Sequence, residues 1–263
     1  MNNHQLKELV QQVEILSKKV GAFLISQRIS ASDVETKAFN NLVSFVDKEA
    51  EIQFVQGLKA LLPEAGFIAE EGTGDRKEGL NWIIDPLDGT TNFIHGVPVY
   101  CTSVALADGD KLLLGVIYDP NRDECFSAYH GGGASLNNHS IQVSNASALK
   151  ESLLATGFPY YDFGRTDEYL HLLKELMQTT RGIRRLGSAA LDLAYVACGR
   201  CDAFYEYSLH PWDVAAGIII TTEAGGRVGG FPGSPAPLFG ENILASNGLI
   251  HADLESIIEK TFC

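Results

Sequence analysis

The chain has 263 residues, with 20 Lys and Arg against 33 Asp and Glu, a formal charge of −13 at pH 7. With 45% hydrophobic and 20% charged residues, it is a globular chain able to bury an extensive core, which excludes disordered and fibrous classes. The acidic balance argues against gripping a nucleic-acid backbone or an anionic membrane surface, so neither partner is expected.

Residues 1–12 show no basic stretch followed by an apolar core, so no secretory signal is expected. Nor does any apolar run reach bilayer-spanning length. Cys101, Cys125, Cys198, Cys201 and Cys263 form a sparse, odd set, read as reduced thiols of a cytoplasmic protein.

In chain order, Leu6, Val10, Val13, Leu16, Val20, Phe23 and Leu24 recur in steps of three and four, predicting an amphipathic helix over 5–28. A second helix is predicted over 48–62, ended by Pro63. Phe67-Ile68-Ala69 predicts a short strand delivering Glu70 and Glu71, and Trp82-Ile83-Ile84 another delivering Asp85. From 97 to 143, strands broken by tight turns predict an antiparallel meander. Beyond 145 the rhythm alternates: strands near 152–156, 183–186, 202–205 and 242–246, helices over 166–179, 188–199, 212–225 and 249–260. That alternation predicts a second sheet covered by helices. The Gly-rich stretch 225–234 reads as a loop. Without a linker or repeat, the expectation is one domain over 1–263, with subdomains of about 1–145 and 146–263.

The most informative run is Asp85-Pro86-Leu87-Asp88-Gly89-Thr90-Thr91-Asn92. Singly, Asp-Pro and Asp-Gly are turn dipeptides; together, after an apolar strand, they make a pattern. Pro86 is expected to end the regular ladder, and Gly89 permits a sharp turn, so Asp85 and Asp88 can aim at one point. Thr90 then stands where a short helix could begin, with free N–H groups suited to phosphate. Carboxylates so close need a cation among them, and an all-oxygen set suits a small hard ion such as Mg²⁺.

This run resembles the first signature of the inositol monophosphatase family, lithium-sensitive and Mg²⁺-dependent phosphatases. The second signature is matched by Trp212-Asp213-Val214-Ala215-Ala216-Gly217, and the family's glutamate strand by Phe67-Ile68-Ala69-Glu70-Glu71. The resemblance implies an α/β fold layered as an α-β-α-β-α sandwich, and a homodimer. It also implies hydrolysis of a small phosphorylated alcohol or polyol with two or three Mg²⁺ ions. By position, the metal ligands would be Glu70, Asp85, the carbonyl of Leu87, Asp88 and Asp213. Neighbours on a strand face opposite ways, and the family pattern selects Glu70 over Glu71. Thr90 and Asp47 would position and deprotonate the attacking water, with Glu70 on the ion that binds it. The amides of Gly89 and Thr90 would hold phosphate, and Gly187, Ser188, Ala189, Glu206 and Asp213 would border the alcohol.

Simpler readings stand beside some of these. Asp47 is an ordinary N-cap for the 48–62 helix, Asp213 could merely cap its own helix, and Glu206 could pair with Arg184. Cys198-Gly199-Arg200-Cys201 has redox spacing but falls at a helix end, where the dipole opposes a thiolate; half-buried thiols are expected. Gly131-Gly132-Gly133 lacks the lysine of a phosphate loop and reads as a hairpin turn. His95 and His210 flank the signatures without matching a catalytic position. Related phosphatases act on histidinol phosphate or fructose 1,6-bisphosphate, and some relatives regulate transcription, so those alternatives stay open.

Overall fold

The computed structural model describes residues 1–27, 36–159, 163–234 and 236–262, over 36–44 by backbone alone. Helix α1 (Asn3–Ser26) opens on a reciprocal cap: Gln5 N donates to Asn2 Oδ1 at 3.0 Å, and Asn2 N to Gln5 Oε1 at 2.9 Å. Helix α2 runs Thr36–Leu61, starting well before the predicted 48. Asp47 is therefore interior to a helix, and its reading as an N-cap is corrected. A cap needs the non-helical backbone of a first residue, and position 47 does not have it.

The first sheet holds β1 (Gly66–Ala69), β2 (Leu80–Asp88), β3 (Cys101–Asp108), β4 (Lys111–Asp119), β5 (Glu124–Tyr129), β6 (Ala134–Leu136) and β7 (His139–Ile141), in sequential order. Only β1–β2 is parallel; the rest is the antiparallel meander expected from the turns. Between β2 and β3 sits the short helix α3 (Thr90–Ile94). The second sheet has the order β11-β12-β10-β8-β9, from β8 (Leu153–Thr156), β9 (Gly182–Arg184), β10 (Ala203–Tyr207), β11 (Arg227–Gly229) and β12 (Asn242–Ser246). β11 lies inside the stretch predicted to be loop. Three residues paired to β12 carry no periodicity that a sequence can display.

Four further helices complete the fold: α4 (Thr166–Thr179), α5 (Ala189–Ala197), α6 (Pro211–Glu223) and α7 (His251–Phe262). Apolar side chains form three sheets of core. Val13, Val20 and Phe54 of α1 and α2 pack with Trp82, Ile84 and Val104 on the outer face of the first sheet. Leu193 of α5 and Ile220 of α6 fill the space between sheets with Ile83, Ile117 and Phe204. Leu172 of α4 and Leu254 of α7 cover the far face of the second sheet with Tyr205 and Leu244. The layers are α-β-α-β-α, as expected. Among the described residues no helix is long and apolar enough to cross a membrane.

Candidate active site

Strand β2 explains how two aspartates three residues apart reach one place. On a regular strand, positions 85 and 88 point to opposite faces. Here Asp85 pairs with Ser103 and Asp88 with Cys101, so three steps on β2 oppose two on β3. This is a β-bulge. Ile83 belongs to the core between the sheets and Ile84 to the core under α1 and α2; Leu87 joins the latter again, one step out of phase. Asp85 and Asp88 thereby share the inner face. Strand β2 runs on to Asp88, but its ladder with β3 is irregular across Pro86, as expected of a proline, and the turn comes at Gly89, with φ +96.

Hydrogen bonds hold the two carboxylates in different ways. Asp85 Oδ1 accepts from Leu87 N at 2.9 Å. Asp88 Oδ2 accepts from Ser188 Oγ and from Ala190 N, each at 2.7 Å. Asp88 thus sits on the N-terminus of α5, a helix of the middle layer, where the dipole favours its charge. Thr90 Oγ1 donates to the Leu87 carbonyl at 3.0 Å. Asn92 Nδ2 donates to the carbonyls of Val99 (2.7 Å) and Leu186 (2.8 Å), tying α3 to the segment that starts α5. Asp213, in the first turn of α6, accepts from His210 N at 2.6 Å. It therefore does what a capping residue does while also facing the site.

These residues enclose a cleft of about 220 Å³ between the two sheets. Glu70, Asp85, Leu87, Asp88, Gly89, Thr90, Gly187, Ser188, Ala189, Glu206 and Asp213 all line it. The one predicted site residue outside the lining is Asp47, which is buried and lies within electrostatic reach of Glu71, Glu70 and Glu51. Glu71 is not among the lining residues; its backbone N–H donates to Glu51 Oε2 at 2.8 Å. The separation of Glu70 from Glu71 arises in the turn after β1, which ends at Ala69.

Six carboxyl groups (Glu70, Asp85, Asp88, Asp192, Glu206, Asp213) face one guanidinium, Arg185, among the described lining residues. The crowding shows in their proton affinities. Loss of water, then Glu70, Asp88 and Asp213, push Asp85 well above the usual carboxylate range. Burial, then Asp88, raises Asp213 to about 8. Burial raises Asp47 to about 8, with Glu71 the next cause. Glu70 stands at the open mouth, yet protein surrounds it closely enough that desolvation lifts it to about 7 against the lowering hydrogen bond to Asp85. Burial also lifts Asp88, opposed by its bonds to Ser188 and Ala190.

The folded chain consequently binds protons that the unfolded chain releases between about pH 4 and pH 8. The stabilisation is full below about pH 4 and disappears as pH rises through about 7 to 8. A metal-free sample is expected to melt at a lower temperature at about pH 9 than at about pH 6. Scanning calorimetry across that range checks the sign.

Such a donor set, all oxygen and too negative to stand alone, fits a hard divalent cation. Among the described residues no three His, Cys, Asp or Glu side chains converge on a single ion position as they stand. Closing on one requires rotation of carboxylates now held by Leu87, Ser188 and His210.

The profile of the inositol monophosphatase family matches residues 5–261. The chain belongs to the inositol monophosphatase family. "Fructose-1,6-bisphosphatase/inositol-1-monophosphatase" of Thermotoga maritima is 39% identical over 246 residues, 93% of each chain. "Putative Nus factor SuhB" of Neisseria meningitidis serogroup B is 42% identical over 246 residues, 92% of this chain and 94% of that one. Among solved structures, the inositol monophosphatase of Anabaena superposes with a TM-score of 0.86 at 36% identity, covering 97% of each chain.

Beyond the residues that carry the inositol monophosphatase resemblance, the cleft holds some that the sequence did not suggest. Asp192 is 1% exposed on the cleft wall; its signal was a lone carboxylate inside the apolar stretch Ala189–Ala197. The cation beside Glu206 is Arg185, not Arg184. Arg184, the last residue of β9, lines a separate groove with Arg200 and Glu124. His210 stacks on Trp212 at 4.7 Å on the rim, and His95 ends α3 outside the cleft.

The remaining motifs are structural. Cys198 ends α5 and Gly199 takes φ +74; burial raises the Cys198 thiol and pushes Cys201 up to about 12. Both are poor thiolates, and Cys201 is fully buried rather than half-buried. Gly131-Gly132-Gly133 joins β5 to β6. There Glu223 accepts from Gly131 N (2.8 Å) and Gly133 N (3.0 Å), so a carboxylate already occupies the amides that a phosphate would need.

Proposed function

We propose that this chain hydrolyses phosphate monoesters of polyols, inositol 1-phosphate foremost, with Mg²⁺. The carrying observation is that Glu70, Asp85, Asp88 and Asp213 share one cleft with Glu206 and the Gly187–Ala189 segment. The names of the Thermotoga and Anabaena relatives support the same reading. Glu70, Asp85, the Leu87 carbonyl, Asp88 and Asp213 would hold two or three ions. When bound, these lower the pKa of water and neutralise charge on the transferring phosphoryl group.

The protein's own part is positioning and proton handling. Thr90 Oγ1 spends its proton on the Leu87 carbonyl, leaving lone pairs free to accept from an incoming water. Asp47, with Oδ1 unpartnered among the described residues, is the proton acceptor assigned to work with it, a role for its ionised form, which burial disfavours below about pH 8. The N–H groups of Gly89 and Thr90 take phosphate oxygens, and water attacks in line with no phosphoenzyme. Gly187, Ser188 and Ala189 border the leaving alcohol, Glu206 accepts from its hydroxyls, and Asp213 adjoins both ends. A cytoplasmic homodimer, sensitive to lithium, is part of the same proposal.

A panel of phosphate monoesters assayed with Mg²⁺, with a chelator and with added Li⁺ tests it. Release fastest from inositol 1-phosphate, abolished by the chelator and reduced by Li⁺, is the expected result. Faster release from histidinol phosphate or fructose 1,6-bisphosphate would move the substrate assignment, the latter in keeping with the Thermotoga relative's double name. Indifference to the chelator would end the metal reading. The Nus-factor name of the Neisseria relative favours a second, regulatory reading, for which the mark is specific protein capture by a chain that releases no phosphate.

A further inference from the structure

Asp192 has no work assigned by the reading above. It follows the N-cap Ser188 by one turn of α5, lines the cleft at 1% exposure, and its Oδ1 has no hydrogen-bond partner among the described residues. Leaving a buried carboxyl oxygen without a donor is costly. Packing does not explain it, because the other residues of α5 are apolar apart from the hydroxyl of Tyr195 and an aliphatic side chain would fit the layer.

The surroundings indicate what donor is missing. Glu206, on β10, packs so closely over Gly157 that a Cβ there would lie 2.0 Å from its Oε1. Its carboxyl is therefore confined to the cleft wall. The Arg185 guanidinium acts electrostatically on both Glu206 and Asp192 and lies 5.8 Å from the Phe158 ring centre. Two acceptors and one fixed cation suit hydroxyls, which donate to a carboxyl and accept from a guanidinium. A second cation at this end of the cleft is less suited, because it would stand beside the Arg185 guanidinium and be repelled by it.

We infer that Asp192 is a specificity-determining residue: together with Glu206 it accepts hydrogen bonds from two hydroxyls of the substrate's alcohol, so that the cleft selects esters of polyols. This rests on the hydrolase reading and adds to Glu206 a second residue that decides which alcohol the cleft takes.

The test compares wild type with Asp192→Leu and Asp192→Asn on inositol 1-phosphate, phenyl phosphate and ethanolamine phosphate in Mg²⁺. Turnover is read by phosphate release, and binding by the rise in melting temperature that each ester induces. Asp192→Leu is expected to lower kcat/KM for inositol 1-phosphate about 10- to 100-fold more than for phenyl phosphate, mainly through KM. The melting shift by inositol 1-phosphate should shrink in parallel. Asp192→Asn, which keeps one acceptor oxygen, should fall between. Equal losses on all three esters would show a structural role and overturn the inference, as would no loss on any. A greater loss on ethanolamine phosphate would assign the site to an ammonium group instead. If wild type binds inositol 1-phosphate selectively, and Asp192→Leu abolishes that selectivity, while no ester is hydrolysed, the hydrolase reading fails and the Asp192 assignment stands.

Discussion

Replacing Asp88 by Asn is expected to cut Mg²⁺-dependent phosphate release by at least about a hundredfold. Asn matches Asp in size, so the change is one of charge and donor direction. The carboxylate of Asp88 takes Ser188 Oγ and Ala190 N at 2.7 Å each. An amide in its place either turns its NH₂ towards those donors or turns its oxygen there and points NH₂ at the position a cation would hold. Both orientations weaken the site. A Mg²⁺ titration of phosphate release should show lower turnover and a right-shifted midpoint, while circular dichroism reports a folded chain. Unchanged release would remove Asp88 from the reaction, and with it the assignment of the cleft.

Gly89→Ala should be the most damaging small substitution in the motif. Gly89 has φ +96, and a Cβ there would stand 2.9 Å from the Val99 carbonyl oxygen and 3.2 Å from that of Gly187. Neither neighbour is a flexible side-chain tip. The left-handed backbone alone costs an L-residue about 1–2 kcal/mol, and the contacts add to it. A melting-temperature fall of about 3–10 °C is expected, with loss of turnover because the same shift displaces Asp88 and Thr90. Gly96→Ala is the comparison: φ is +68, with nothing within 4 Å of the added Cβ. It isolates the backbone term, and equal behaviour of the two variants would show that the close approach at Gly89 is no constraint.

Much of this was legible before any coordinates because it depends on local chemistry. The turn residues between 97 and 143 marked the meander, and the three- and four-step apolar pattern marked α1. The two acidic signatures marked residues that line the cleft because they fall at the ends of elements, where side chains are free to point into one. What stayed hidden depends on partners distant in sequence. β11 exists only because β12 pairs with it. Arg185 rather than Arg184 meets Glu206 because β9 ends at Arg184, and one residue of register decides which faces the cleft. Asp192 was overlooked because a lone carboxylate in an apolar helix has no motif around it.

The bulge at Pro86 makes the site a matter of parity. Three is an odd spacing, and an odd spacing brings two side chains to one face only if the strand absorbs a residue between them. Removing one residue between Asp85 and Asp88 together with the bulge would restore an even count, keeping both aspartates on the inner face but drawing them closer along the strand. Removing the bulge without changing the count would turn Asp88 towards Trp82 and Phe54, inside the apolar layer beneath α1 and α2. The irregularity in the ladder is therefore what allows a three-residue interval to work as a two-pronged clamp. It also decouples the distance between the prongs from the fixed repeat of the strand.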